Sequence, residues 1–355
     1  MSTRIFPSVP PTAWRLIGYW APSDVLAFTS TKSWQPEGDE TTEDASLNHA
    51  LSKNCPLEEK EMTQQIPLDT SNRADEVDRD DGTREIAPDI AYLRTIMVNV
   101  VFVGLPNAGD RNWVLIDAGV IGGKSTIRQA AAQRFGEGSR PAAIILTHGH
   151  FDHVGALEDL AEEWDAPVYA HDLEHPYLNG QTSYPDGDPS VGGGLMATLS
   201  GLLPTRPVDV TTRLKSLPEG GSVPFMAGWT WLHTPGHSPG HVSLWRESDR
   251  ALIVGDAFIT TAAESAYATA FQTAELHGPP RYFTIDWEKA KASVEALAAL
   301  EPSLVISGHG RAMQGGELTR KLHELARDFD TVAVPDQGRY VRDPAKAEDG
   351  TAYAP

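Results

Sequence analysis

Along this chain, brief aliphatic runs alternate with longer stretches whose apolar residues recur every three or four positions. The runs at 142–146 (Ala-Ala-Ile-Ile-Leu), 252–254 (Leu-Ile-Val) and 304–306 (Leu-Val-Ile) have the length and composition of strands buried on both faces. Each stops at a glycine or a small polar residue. The stretches 124–135, 156–164, 287–300 and 317–329 carry helical spacing and predict amphipathic helices lying on sheets. Strands interleaved with helices define an α/β chain. One interval breaks the alternation. Residues 175–212 are long and contain several Gly and Pro, with the apolar pieces 195–199 and 202–203. Such an insertion beside an active site predicts a lid or an apolar wall, and so an acyl or aromatic substrate.

Charge divides the chain further. The formal net charge of the 355 residues is −20. Residues 37–84 hold 14 acidic against 5 basic side chains and few aromatics, which predicts a flexible acidic segment. Before it, Trp14, Leu16, Ile17, Tyr19, Trp20, Val25, Leu26 and Phe28 form an aromatic-rich arm expected to pack on the domain. The organisation read from this is an N-terminal extension over 1–88, a domain over 89–334 and a polar tail over 335–355. A hydrophobic content of 40% suffices for a core. No run approaches the ~18 apolar residues needed to span a membrane, and the first 30 residues lack the pattern of a secretory signal. The single cysteine, Cys55, excludes an internal disulfide framework. A cytoplasmic location is the resulting expectation. Lys and Arg do not cluster and the bulk charge repels polyanions, so nucleic acid is not the expected partner. A small-molecule substrate is, with a homo-oligomer left open through the N-terminal arm.

The chemistry is concentrated at 147–155, Thr-His-Gly-His-Phe-Asp-His-Val-Gly. It places His148, His150, Asp152 and His153 in six residues, between a buried strand and a helix, where α/β proteins build their sites. Imidazole and carboxylate are the donor set of zinc and related divalent cations. His148 and His150 project to one side of extended backbone, whereas Asp152 and His153 follow the turn and can serve a second position. Three further segments have the form strand, glycine, ligand: 233–241 (His-Thr-Pro-Gly-His-Ser-Pro-Gly-His), 252–256 ending in Asp256, and 304–310 with His309.

The order His-x-His-x-Asp-His, Pro-Gly-His, Gly-Asp, Gly-His, with Leu115-Ile116-Asp117-Ala118-Gly119 ahead of it, resembles the metallo-β-lactamase superfamily over roughly residues 90–330. The resemblance implies a four-layer αββα sandwich with metals at one edge between two sheets. It implies His148, His150 and His237 on a first cation, Asp152, His153 and His309 on a second, and Asp256 bridging both. It gives Asp117 a supporting place behind the ligand loop. His233 and His241, which flank His237, are expected to pack or to support rather than ligate.

Two divalent ions are thus implied, zinc foremost, with iron or manganese as alternatives. The resemblance further implies a hydrolase that uses a metal-held hydroxide on an ester, lactone or thioester. Asp152 is the expected catalytic carboxylate, orienting the nucleophile and passing a proton to the leaving group. The chain looks similar to glyoxalase II and to lactonases, although the long basic C-terminal region of the former is absent. The tyrosine that lactonases carry soon after the bridging aspartate is also absent, Ile259 standing there. Tyr267 and Tyr282 are the candidates to replace it as substrate contacts. The alternatives are a β-lactam hydrolase, an iron-dependent redox enzyme, or a metal-binding protein without turnover.

Overall fold

The computed structural model describes residues 65–191, 208–262 and 274–354. The aromatic arm at 14–28, Cys55, the apolar pieces at 195–203 and Tyr267 lie outside the described residues. Two sheets carry the domain. In the first, eight strands lie in chain order: Val77–Asp78, Arg84–Ala87, Ile90–Thr95, Val98–Val103, Val114–Ile116, Ala143–Ile145, Val168–Ala170 and Leu214–Ser216. The first five are antiparallel neighbours and the last four run parallel to one another. In the second, five strands are again in chain order: Trp229–His233, Val242–Arg246, Ala251–Gly255, Leu304–Ser307 and Met313–Gln314. A short pair, Ile66–Pro67 with Glu275–Leu276, stands apart.

Alternation along the strands produces the layers. Val100, Phe102, Leu115 and Ile144 point away from the second sheet into a core shared with the helices Lys124–Phe135 and Leu157–Glu163. Their neighbours Val101, Val103, Val114, Ile116 and Ile145 point the other way, into a central core with Val242, Leu244, Ala251, Ile253 and Ile306 of the second sheet. Leu252, Val254 and Val305 turn outward to meet the helices Trp287–Ala299 and Gly316–Val332. The result is a four-layer αββα sandwich. Each outer helix buries one stripe: Ala290, Val294 and Leu297 in the first, Leu318, Leu322, Leu325 and Phe329 in the second. Asp286 caps the former, accepting a 3.0 Å hydrogen bond from the Lys289 amide.

The ends of the domain are ordered where polarity suggested otherwise. Within the acidic segment, Ile66 and Leu68 are buried against the helical layer, and Glu76 pairs with Arg84 and Arg311. The strand Arg84–Ala87 joins the first sheet, so structure begins ahead of residue 89. At the other end, Tyr340, Ala345 and Ala352 are buried with Ile285. The Ala345 amide donates to Ile285 O (3.0 Å), and Tyr177 Oη donates to Ala352 O (2.7 Å). A few apolar anchors thus fasten the polar stretch 335–354 to the body of the domain. Among the described residues no helix is long and apolar enough to cross a membrane.

Candidate metal centre

Five loops leave the C-terminal ends of strands and converge at one edge of the sandwich. The strand Val114–Ile116 delivers Asp117, Ala143–Ile145 delivers His148 to His153, Trp229–His233 leads to His237, Ala251–Gly255 to Asp256, and Leu304–Ser307 to His309. The structure brings all seven expected donors together. Three groups have donor atoms within 4.8 Å of one another: His148, His150 and His237; His148, His153 and Asp256; Asp152, His153 and His309. Asp256 Oδ2 lies 3.2 Å from His309 Nε2 and 3.5 Å from both His153 Nε2 and His237 Nε2. Asp152 Oδ2 is 3.5 Å from His309 Nε2.

Hydrogen bonds behind the cage set the tautomers. Thr147 Oγ1 donates to Asp117 Oδ2 (2.8 Å), so toward His148 Nδ1, 3.1 Å away, it acts as acceptor. Thr284 Oγ1 donates to Pro280 O (2.7 Å) and accepts from His237 Nδ1 (3.1 Å). His153 Nδ1 donates to Asp117 Oδ2 (2.8 Å), and His309 Nδ1 donates to Met97 O (3.0 Å). In all four rings Nδ1 is thereby engaged on the outer side and Nε2 faces the cage, able to ligate once it carries no proton, the arrangement by which outer partners orient metal-binding histidines. His150 is the exception, presenting Nδ1 toward His237 Nε2 at 2.9 Å.

Asp117 adopts the left-handed backbone region (φ 59°), rare for a residue with a side chain. This turns its carboxylate onto the ligand loop, where Oδ1 also accepts the Thr147 amide at 2.8 Å. His241 is not among the donors: its Nε2 accepts the Asp256 amide (2.9 Å), which holds the loop bearing that carboxylate. His233 is exposed, stacks on His171 with centroids 4.2 Å apart, and donates to Pro239 O.

Burial dominates the electrostatics. It holds His148 and His237 well below the ordinary histidine range, helped by neighbouring imidazoles, and brings His150 down to about 3. Burial also pushes the Asp152 carboxyl up, against the pull of His153 and His309. Around Asp256 the balance reverses. Against burial, His309 and His153 hold its carboxyl well below the usual range. Against burial too, Asp256 with Asp117 and Asp152 raises His153, and Asp256 with Asp152 raises His309.

A cation fits this donor set. His148 Nε2, His153 Nε2 and Asp256 Oδ1 are buried and have no hydrogen-bond partner. Each such orphan costs roughly 1–3 kcal/mol, so three in one cluster need a further ligand to justify them. Donors sharing a tetrahedral cation at ~2.0–2.1 Å stand ~3.3–3.4 Å apart, close to the 3.2–3.5 Å separations around Asp256. Loading has a protonic consequence, because the surrounding carboxylates raise His153 and His309, and both rings must be without a proton at Nε2 to hold a cation. Calorimetric zinc titrations in buffers of different ionisation enthalpy are expected to show net proton release, with affinity falling as pH is lowered. A zero buffer dependence would contradict this protonation pattern.

A pocket opens over the cage. Its floor is His150, Asp152, His237, Asp256 and His309, and its walls are Met97, Phe151, Pro280, Tyr282 and Phe283. Tyr282 lines this pocket, packed with Phe283 and Val191. Sequence reasoning missed Glu174. This fully buried carboxylate accepts from the amides of Gly149 (2.9 Å) and Gly240 (2.7 Å), from Ser238 Oγ (2.8 Å), and from Tyr184 Oη. As one of two acids in His171-Asp172-Leu173-Glu174-His175, Glu174 carries no distinguishing sequence signal.

The chain belongs to the metallo-β-lactamase superfamily, whose sequence profile matches residues 93–309. Its fold, its relatives and its clustered His and Asp donors are those of a metallo-hydrolase. The probable metallo-hydrolase YflN of Bacillus subtilis (strain 168) is 46% identical over 248 residues, covering 70% of this chain and 94% of YflN. A hydroxyacylglutathione hydrolase of Bdellovibrio bacteriovorus is 26% identical over 209 residues, 55% of this chain and 67% of that one. Among solved structures, a beta-lactamase domain protein from Burkholderia ambifaria shares the fold with a TM-score of 0.50 at 20% identity, over 72% of this chain and 79% of that chain.

Proposed function

We propose that this protein is a dinuclear metal-dependent hydrolase acting on an ester, lactone or thioester of a small, neutral and largely apolar molecule. The observation that carries the reading is a cage of two donor triads, with Asp256 between them, opening into a pocket walled by aromatic and aliphatic side chains. His148, His150 and His237 would hold one cation, Asp152, His153 and His309 the other, and Asp256 both. Bound cations would supply Lewis acidity and a lowered water pKa. Zinc suits the nitrogen-rich set, with iron or manganese the other candidates.

The chain's own groups do the remainder. Asp152 reaches the pocket floor, where a carboxylate oxygen not engaged by a cation would take up a proton from the attacking water and hand it to the leaving group. Met97, Phe151 and Phe283 exclude water and contact the apolar portion of the substrate. Tyr282 is the substrate contact proposed among the described residues, and Tyr267 the second.

Neutral substrates are favoured by charge. Among the described residues no lysine or arginine lines the pocket. An anionic carrier such as glutathione finds little to bind. The zinc-, manganese- and iron-loaded protein should be assayed on nitrophenyl esters and lactones of graded acyl length, a glutathione thioester and a β-lactam. The expected result is a kcat/KM that rises with acyl length by roughly tenfold over two methylenes, at ~0.8 kcal/mol each. Turnover indifferent to acyl length, or best on the glutathione thioester, would sink the neutral-substrate reading. Iron loading with oxygen uptake and no hydrolysis would sink the hydrolase reading.

A further inference from the structure

We propose that Glu174 is a positioning residue for one half of the cage, setting the cation position formed by His148, His150 and His237. The inference rests on the two-metal reading above. One Glu174 oxygen takes the amide of Gly149, the residue between His148 and His150, at 2.9 Å. The other takes Ser238 Oγ at 2.8 Å and the Gly240 amide at 2.7 Å, on the loop that carries His237. A single carboxylate therefore ties together two loops about 90 residues apart in sequence, His150 Nδ1 and His237 Nε2 being separated by 87 positions.

The fit admits no extra atoms. A Cβ at Gly240 would stand 2.8 Å from Glu174 Cγ and 2.9 Å from its Oε1, so only glycine lets the loop approach this closely. Tyr184, which donates to Glu174, also lies over the His150 ring with centroids 4.3 Å apart and stacks on Tyr177 at 3.7 Å. The same carboxylate thus orients the loop and holds the aromatic ring packed against one of its histidines. All four partners of Glu174 act as donors, which an ionised carboxylate satisfies and an amide cannot.

The division of labour is specific. None of the hydrogen bonds of Glu174 goes to Asp152, His153 or His309 themselves, and its contact with the 148–153 loop is at Gly149, between His148 and His150. Asp117 spans both sides, binding His153 Nδ1 directly and holding the Thr147 amide and hydroxyl that back His148. Loss of Glu174 should therefore weaken chiefly the first cation position, whereas loss of Asp117 should disturb both, the second through His153 and the first through Thr147 and His148.

The test uses the full-length, metal-stripped protein titrated with Co²⁺ and with Zn²⁺, followed by visible absorption and by calorimetry. Wild type should show two binding events. Glu174→Gln is expected to weaken one event about 10–100-fold, as loss of an outer partner of metal ligands does, and to alter the cobalt bands of that event alone. Asp117→Asn should weaken both events, in contrast to Glu174→Gln. Circular dichroism of the metal-free variants reports folding. Two unaltered events in Glu174→Gln, or a parallel loss of both, would overturn the assignment. If the glutamine variant does not fold, Ser238→Ala removes one of the four donors and is read in the same way. It should weaken the same event about two- to tenfold, and an unchanged event or parallel loss would again overturn the assignment. A wild type that binds fewer than two cations would instead refute the underlying two-metal reading.

Discussion

Asp256→Asn protein is expected to retain its fold, to bind at most one cation tightly, and to hydrolyse its best substrate about 10²–10³-fold more slowly than wild type. The magnitude is the several kcal/mol that a correctly held Lewis acid contributes, at 1.36 kcal/mol per tenfold. The reason lies in the geometry of one oxygen. Asp256 Oδ2 faces His309, His153 and His237 at 3.2–3.5 Å, so one carboxylate is placed to serve both cation positions. An amide oxygen in that place is neutral and a far weaker donor than a carboxylate, and if the NH₂ group faces the cage it offers no lone pair at all, so the variant holds two cations poorly. The backbone of the loop keeps its own anchor, the Asp256 amide on His241 Nε2, and the fold need not move. Elemental analysis of the purified variant together with kcat/KM checks both parts. Two equivalents of metal with undiminished turnover would remove Asp256 from the bridge.

The four-layer body was legible because its signals are local. The runs 142–146, 252–254 and 304–306 are apolar throughout because their strands lie between helices and the opposite sheet, and all three strands have cores on both faces. The helix expected over 124–135 occupies Lys124–Phe135, and that expected over 317–329 extends to Gly316–Val332. The ends of the domain were harder to read. Composition averaged over 37–84 or 335–355 is polar, yet burial there depends on isolated residues meeting distant partners. Ile66 pairs with Leu276, and Ala345 binds Ile285. A window average dilutes such anchors below notice.

The same distinction separates the donors from their supports. His148, His150, Asp152 and His153 are conspicuous because metal-ligand types crowd into six positions, and His237, Asp256 and His309 because each follows a strand and a glycine. The groups that make those donors usable are chemically ordinary. Thr147 and Thr284 set ring tautomers with hydroxyls, and Met97 does so with a backbone carbonyl. Glu174 meets Ser238 and Gly240 across 64 and 66 residues of sequence. No spacing rule links them, because the link is made by the fold.

Gly308→Ala should cost nearly as much activity as loss of the Asp256 carboxylate, although a single methyl is added and no donor is removed. Gly308 is pinned on both sides: its amide donates to Gly255 O, and its carbonyl accepts the Asn99 amide, each at 2.8 Å. The backbone therefore cannot retreat cheaply. A Cβ there would lie 2.1 Å from Asp256 Oδ1 and 2.8 Å from His153 Cε1, well inside contact distance. The softest response is rotation of the Asp256 side chain away from the cage, leaving His153 and His309 without their shared counter-charge. Overpacking of this kind costs about 1–3 kcal/mol of stability, so a folded protein should be recoverable. Its expected signature is a kcat/KM lowered about 10²-fold or more with reduced metal content, at a melting temperature depressed by only a few degrees. Full metal occupancy and normal turnover in this variant would show that Asp256 Oδ1 is free to move without consequence, and the close approach of the two loops would then be a matter of packing alone.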